Sequence, residues 1–253
     1  MDSITLSVSI VNYNDAATTV EACQSILKHT VKYPLRLYVI DNGSADGDAG
    51  LLQNLSGVEL IQLPRNIGFG AAHNQVLSRP LGTYHFVVNP DITVASDVLS
   101  DLADVFAEHP DLALAMPRIM NDDGTEQHLP KEVPTLKRMF LGRLSALGGP
   151  FEKIRREYTW ADKPWNGITD VDFCSGCFMA IPSENLQKLG GFDERFFMYL
   201  EDADLTLRAK ALGRTVFVPQ IEVVHHWKRE SAKNLKCLFY HVASSFKFVL
   251  KRR

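Results

Sequence analysis

Three apolar runs in this chain stop on an amide or a carboxylate. "LSVSIVN" ends at Asn12, "LRLYVID" at Asp41, and "YHFVVNPD" at Asn89, Pro90 and Asp91. Leu6, Val8 and Ile10 alternate along the first run, which is the period of a buried strand. Between the first two runs, "DAATTVEACQSILKHT" places Val20, Cys23, Ile26 and Leu27 at helical spacing. Strand patterns alternating with helix patterns predict an α/β fold, with a mostly parallel central sheet flanked by helices. Asn, Pro and Asp are ordinary turn residues. In sheets of this kind, however, ligands bind outside the carboxyl ends of the strands. Polar ends on neighbouring strands therefore point to a site at one sheet edge.

The same alternation runs on. "VELIQLP" reads as a third strand, and "NIGFGAAHNQVLS" as a glycine-containing loop that enters a helix. "SDVLSDLADVFAEHP" reads as a helix with Ser96 as N-cap and Pro110 beyond its end. "LALAMP" and "VDFCSGCFMAIP" continue the sheet, and "SENLQKLGG" is a short helix stopped by glycine. "FDERFFMYLEDADLTLRAKALG" sets Glu201, Asp202 and Asp204 in the first turn of a further helix, and "TVFVPQIEVVHHW" reads as a closing strand pair ending at His225 and His226. Acids in a first helical turn suit the macrodipole. Three of them behind the aromatic stretch "FFMY" also suggest a pocket in which burial raises a carboxyl pKa. Residues 120–170 are rich in Pro, Gly and charge, and read as an irregular excursion from the sheet.

Composition narrows the class. With 253 residues, 45% apolar and 23% charged, the chain suits one sizeable α/β domain with an appendage. Cys174 and Cys177 form a C-x-x-C, but no second pair exists to complete a zinc site. The start "MDSITLSVSI" has no basic lead, and no apolar run approaches the ~20 residues of a membrane span. The expectation is a cytoplasmic protein with reduced thiols. The net charge of −3 is unevenly spread: from Lys228 onward eight cations face Glu230 alone, giving +7, so residues 1–227 carry −10. Leu235, Leu238, Phe239, Val242, Phe246, Val249 and Leu250 follow helical spacing within that tail. Such a basic amphipathic stretch either packs on its own domain or lies against an anionic membrane surface.

Taken in order, "VSIVNYN", "VIDNGSADG", "RNIGFGAAHN", "NPDI", "GGFDERFFMYLEDADLTLRAKALG" and "VVHHW" closely resemble bacterial family 2 glycosyltransferases of the GT-A fold. The nearest branch is the rhamnosyltransferase-like one of O-antigen and other cell-surface polysaccharide synthesis. The resemblance spans about residues 4–231 and implies one GT-A domain over residues 1–227, with residues 228–253 as a basic tail. It implies that Asn12, Tyr13, Asp41 and Asn42 hold the nucleotide of a sugar donor, with Asp41 accepting from a pyrimidine N–H. Arg65, Asn66, Gly68, Asn74 and Asn89 join them.

GT-A enzymes usually carry Asp-x-Asp where this chain has Asn89-Pro90-Asp91. The resemblance makes Asp91 a ligand of Mg²⁺ or Mn²⁺, with His225, or its neighbour His226, completing the site. It implies an inverting single displacement, with Asp202 as base and Glu201 orienting the acceptor or serving as base itself. Asp193, Cys174, Ser175 and Gly176 fall on acceptor-side segments. The partners implied are dTDP-rhamnose, a polyprenyl-diphosphate-linked saccharide and the cytoplasmic face of the inner membrane; nucleic acid is not among them. Two other readings stand beside it: another UDP- or dTDP-hexose donor, or a non-catalytic nucleotide-sugar-binding assembly protein. A nucleotidyltransferase would need a glycine- and lysine-rich loop near the first strand, which "VNYNDAATT" lacks. The enzymatic reading requires Asp41, Asp91 and Asp202 to meet at one cleft.

Overall fold

A computed structural model describes residues 3–45, 50–129, 131–135, 138, 141, 148–227 and 235–252. Its centre is a nine-stranded sheet with the order β3-β2-β1-β4-β8-β6-β9-β5, with β7 pairing on β9. The first half matches the parallel expectation. β1 (Leu6–Asn12) lies parallel to β2 (Leu35–Asp41) and β4 (Tyr84–Val88), and β3 (Val58–Gln62) lies parallel to β2. β1 is buried along its whole length, as a central strand covered on both faces should be. The parallel register aligns Asn12 with Asp41, so both strand ends reach the same edge.

Beyond β4 the sheet becomes mixed. β8 (Phe178–Pro182) runs antiparallel to both β4 and β6 (Leu112–Met120). β9 (Arg214–His225) is parallel to β6, while β5 (Ile92–Thr93) and β7 (Thr169–Asp170) meet β9 antiparallel. The expected closing strand pair is this single β9. Its pairing jumps from Pro117↔Val218 to Arg118↔Glu222, so residues 219–221 bulge out. Pro219, which has no N–H to give the ladder, sits in that bulge.

Helices cover the sheet. α1 (Ala16–His29) presents Ala22, Cys23 and Ile26 to the core. α2 (Gly50–Gln53) is a single turn, and α3 (Phe69–His73) runs into a 3₁₀ turn (Asn74–Ser78). α4 (Val98–Glu108) is capped by Asp97, whose carboxylate accepts from the Ser100 N–H, one residue later than the Ser96 cap read from the sequence. The irregular excursion contains a helix, α5 (Pro150–Thr159). α6 (Ser183–Leu189) and α7 (Glu201–Ala209) follow, and α7 is entered through Tyr199 and Leu200, both at positive φ (71° and 68°). Two such residues in succession cost about 1–2 kcal/mol each. They turn the chain sharply, so that Glu201 and Asp202 begin the helix.

The tail forms α8 (Leu235–Lys251), which packs on the domain. Phe248 is buried with Phe173, Phe196, Leu200 and Ala203, Tyr240 stacks on Phe197, and the Ser244 hydroxyl donates to the Met198 carbonyl. Lys251 pairs with Asp193 and Asp204 at 2.6 Å each. The opposite face exposes Leu238, Phe239, Val242, Phe246 and Leu250. Among the described residues, no helix is long and apolar enough to cross a membrane.

Candidate active site

The edge of the sheet is built from backbone register outward. The Asn12 amide donates to Asp41 Oδ1 at 2.9 Å and to Ser44 Oγ at 3.1 Å, and Ser44 donates to the same Asp41 oxygen at 2.5 Å. Thr19 on α1 donates to Asn12 Oδ1, so every polar atom of that amide is fixed. Asn42 is equally committed. Its Oδ1 accepts from the Ile67 N–H, and its Nδ2 donates to Asn66 Oδ1 and the Gly68 carbonyl. The 66–68 loop is thereby tied to the end of β2. Gly68 has φ +94, and a Cβ there would lie 2.4 Å from the Phe197 carbonyl oxygen, so only glycine lets this loop reach the segment before α7.

Beyond β4, a cavity of about 420 Å³ opens at the same edge. Asn89, Asp91, Ser175, Gly176, Glu201, Asp202 and His225 all line it, with Phe69 and Trp227 among its walls. The two acids at the start of α7 differ in their surroundings. Asp202 Oδ2 accepts from the Gly176 N–H at 3.0 Å, and Oδ1 from the Ala203 N–H at 2.8 Å. A Cβ at Gly176 would stand 3.2 Å from the Asp202 Cβ, so glycine allows the approach that makes this bond. Burial raises the Asp202 pKa, and the backbone N–H donors oppose that rise. Glu201 is 5% exposed, and its Oε2 has no hydrogen-bond partner among the described residues. Burial, followed by the charge of Asp202, pushes its pKa up to about 8. Two adjacent carboxyls in a dry site cannot both ionise cheaply; here the neighbouring N–H donors favour charge on Asp202 and a proton on Glu201.

Across the cavity, His225 Nε2 and Asp91 Oδ1 face each other at 3.2 Å. Both atoms are buried and neither makes a directed hydrogen bond among the described residues. The pair fits a divalent cation. Two ligands about 2.1 Å from an octahedral ion stand about 3 Å apart. Among the described residues, no group of three or more His, Cys, Asp or Glu gathers around one point. A cation held by one carboxylate, one imidazole and substrate phosphates suits Mg²⁺ or Mn²⁺ rather than a closed structural site. His226 is spent elsewhere: one ring nitrogen meets the Thr93 hydroxyl at 2.8 Å and the other meets Asp122.

The glycosyl transferase family 2 model matches residues 7–185. The chain belongs to that family. The N-acetylglucosaminyl-diphospho-decaprenol L-rhamnosyltransferase of Mycobacterium tuberculosis is 29% identical over 244 residues, covering 87% of this chain and 76% of that protein. The rhamnosyltransferase WbbL of Escherichia coli strain K12 is 28% identical over 174 residues, 67% of this chain and 62% of its own. The crystal structure of GalNAc-T7 with UDP, GalNAc and Mn²⁺ superposes with a TM-score of 0.65 at 19% identity, over 89% of this chain and 44% of that one. The fold is the GT-A fold, and in sequence the chain resembles these two rhamnosyltransferases.

In this family 2 glycosyltransferase, Asp91 and Asp202 share the cavity, whereas Asp41 is not one of its lining residues and lies with Asn12 at the neighbouring strand ends. Tyr13 and Arg65 are exposed. Asn74 lies outside the cavity lining: its amide donates to the Phe192 carbonyl and accepts from the Phe192 N–H, stapling the 3₁₀ turn to the loop before α7. Asp193 also lies outside the lining, bound to Arg195 and Lys251, and the Arg195 guanidinium beside it holds its carboxyl far below the usual range. Cys174 and Cys177 are free, buried thiols; burial raises both pKa values, that of Cys177 to about 12.

Three residues of this region escaped the sequence reading. Gln127 and Trp227 line the cavity, and Lys131 is 1% exposed, with its ammonium donating to the Leu129 carbonyl and lying 4.4 Å from the Phe217 ring. Desolvation lowers the Lys131 pKa to about 8. Gln127 and Lys131 sit in a Pro- and charge-rich stretch with no periodicity to mark them as inward-facing.

Proposed function

We propose that this enzyme moves L-rhamnose from dTDP-rhamnose to a hydroxyl of a polyprenyl-diphosphate-linked saccharide, inverting the anomeric carbon in one displacement. One observation carries the reading: the Glu201–Asp202 acids and the Asp91–His225 pair line the same cavity. A glycosyl transfer needs a base on one side of the anomeric carbon and charge neutralisation at the leaving group on the other. The sugar and the lipid-linked acceptor are supported by the mycobacterial relative, whose name specifies both.

In this mechanism the acceptor hydroxyl attacks the anomeric carbon from the face opposite the diphosphate. Its proton passes to Asp202, kept ionised by the Gly176 and Ala203 N–H groups. The bond from the anomeric carbon to the diphosphate oxygen breaks, and the electron pair leaves with dTDP. Glu201, protonated at neutral pH, donates a hydrogen bond that orients the acceptor. Asp91 and His225 would hold a divalent cation, which would supply charge neutralisation at the diphosphate. Asp41 reads the pyrimidine with the acceptor capacity that Asn12 and Ser44 leave free, while Asn12, Asn42, Asn66 and Gly68 build the shelf under the nucleotide. Tyr13 and Arg65 stand at its rim, and Asn89 closes it on the β4 side. Ser175 and Gly176, with Cys177 beside them, form the acceptor wall, and Cys174 packs behind it. The acceptor continues past Gln127, Leu129 and Trp227 into a second hollow of about 360 Å³ lined by Glu152, Arg155 and Arg156.

The exposed stripe of α8, with Lys236 and Lys247 beside it, is the face that meets an anionic bilayer at the cytoplasmic side of the inner membrane. The function is tested with purified protein, Mn²⁺, a polyprenyl-diphosphate N-acetylglucosamine acceptor and a donor panel of dTDP-rhamnose, UDP-hexoses and dTDP-hexoses. Transfer from dTDP-rhamnose with an inverted linkage by NMR is expected. Transfer only from another hexose would replace the sugar and keep the chemistry. Donor binding without transfer to any acceptor would favour a nucleotide-sugar-binding assembly protein.

A further inference from the structure

Gln127 makes two hydrogen bonds to one residue. Its Nε2 donates to the backbone carbonyl of His225 at 2.9 Å, and its Oε1 lies 2.9 Å from His225 Nδ1. These bonds fix the orientation of the Gln127 amide and the proton on His225 Nδ1. A backbone carbonyl can only accept, so the amide nitrogen of Gln127 must face it. Oε1, left facing the ring, can also only accept, so His225 Nδ1 must carry a proton. In the neutral ring, Nε2 then presents its lone pair, and it does so 3.2 Å from Asp91 Oδ1. Two acceptors thus confront each other in a buried place, and neither has a directed hydrogen-bond partner among the described residues. Such an arrangement calls for a positive charge between them.

Gln127 is itself firmly seated. It is 7% exposed, its N–H donates to the Ile119 carbonyl of β6, and its carbonyl accepts from the Leu129 N–H. His225 is held from the other side by pairing of β9 with β5 opposite Ile92, and its ring lies nearly parallel to that of Trp227 at 6.3 Å.

We propose that Gln127 is the positioning residue of the cation site: it fixes His225 as the Nδ1–H tautomer and aims Nε2, with Asp91, at Mg²⁺ or Mn²⁺. This rests on the metal reading of the preceding section and goes beyond it, because it assigns the ligand's orientation to a residue that does not touch the metal. An outer hydrogen bond of this type is worth about 10–100-fold in metal affinity.

The test is Mn²⁺ binding measured by electron paramagnetic resonance with saturating dTDP, in wild type, Gln127→Met and Gln127→Glu. Methionine matches the size of glutamine but cannot accept from Nδ1–H; glutamate keeps that acceptor and loses the second bond. The expected result is Mn²⁺ affinity reduced about 10–100-fold in Gln127→Met and kept within about 3-fold in Gln127→Glu. Equal affinity in wild type and Gln127→Met would overturn the role of Gln127 while leaving the metal site standing. No Mn²⁺ bound by wild type beyond a dTDP-only control would overturn the metal reading and this inference with it. A second measurement is independent of the variants' folding. Long-range ¹H–¹⁵N spectra of metal-free wild type at pH 8, with His225→Ala for assignment, report the tautomer directly. A proton on Nδ1 alone supports the proposal, and a proton on Nε2, alone or together with Nδ1, overturns it.

Discussion

The Gly176 N–H donates to the Asp202 carboxylate at 3.0 Å, while Glu201, one residue earlier, keeps a buried oxygen with no donor among the described residues. Adjacent acids on one helical turn are thus placed in opposite electrostatic situations. Chemically, that is the difference between a base and a hydrogen-bond donor.

Asp202→Asn removes the proposed base but keeps an oxygen for Gly176 or Ala203. The fold and donor binding should persist, with transfer reduced by about 10²–10⁴-fold. Parallel measurement of thermal melting, dTDP affinity and turnover checks this; turnover close to wild type would remove Asp202 from the role.

Glu201 makes stability depend on pH. Its folded-state pKa of about 8 lies above its ordinary value of 4.5, so between these values the unfolded chain loses a proton that the folded chain keeps. The Glu201 contribution to stability should therefore fall as pH rises through that window, by up to about 1.4 kcal/mol per pH unit, and level off above about 8. In Glu201→Gln this contribution should be absent, so the stability difference between the two proteins should change with pH across the window. Urea unfolding at pH 5, 6.5 and 8 compares the two proteins; parallel stability profiles would show that Glu201 does not hold the proton.

A second window opens on the acid side. Ser9 Oγ bridges His73 Nδ1 at 2.8 Å and His85 Nε2 at 2.9 Å, and Ser7 Oγ meets His85 Nδ1 at 2.9 Å. Burial depresses both histidine pKa values to about 3. Below 6.5 the unfolded chain takes up protons that the folded chain refuses, so stability should drop from pH 6.5 towards 3. Ser9→Ala strands a nitrogen on each ring and should cost about 1–3 kcal/mol, with little effect on transfer at neutral pH. Unfolding and turnover of that variant measure the two effects separately.

Asp91→Ala should weaken nucleotide-diphosphate binding when Mn²⁺ is present, and His226→Ala should not, because His226 is occupied by Thr93 and Asp122. Calorimetric titration of dTDP with and without Mn²⁺ reads this. Equal dTDP affinity in Asp91→Ala and wild type would reject Asp91 as a ligand.

For α8, Phe239→Ser with Phe246→Ser should lower partitioning onto anionic vesicles at least tenfold while leaving the melting temperature unchanged, since both rings are exposed. Removing the whole tail is a poorer test, because Phe248 belongs to a buried cluster. Unchanged vesicle partitioning in the double variant would show that the stripe does not meet lipid.

Much of this molecule was written in local pattern. The period-2 run at Leu6, Val8 and Ile10 and the polar stops at Asn12, Asp41 and Asp91 announced both the parallel half of the sheet and the edge that carries the cavity. The antiparallel insertion of β8 was not legible, since "FMAIP" is equally apolar in either direction. The bonds that occupy Asn74 and Asp193 were not legible, because their partners lie 118 and 58 positions away. Gln127 was invisible for the same reason: its partner lies 98 positions downstream.

The helix that ends the chain packs Phe248 beside Leu200, the residue that leads into Glu201. Lys251 also grips Asp204 on the helix bearing both acids. Any surface that captures Phe239 and Phe246 would therefore bear, through these contacts, on the helix that carries both acids. A lipid-borne acceptor would then meet a chamber already held at a set height and tilt.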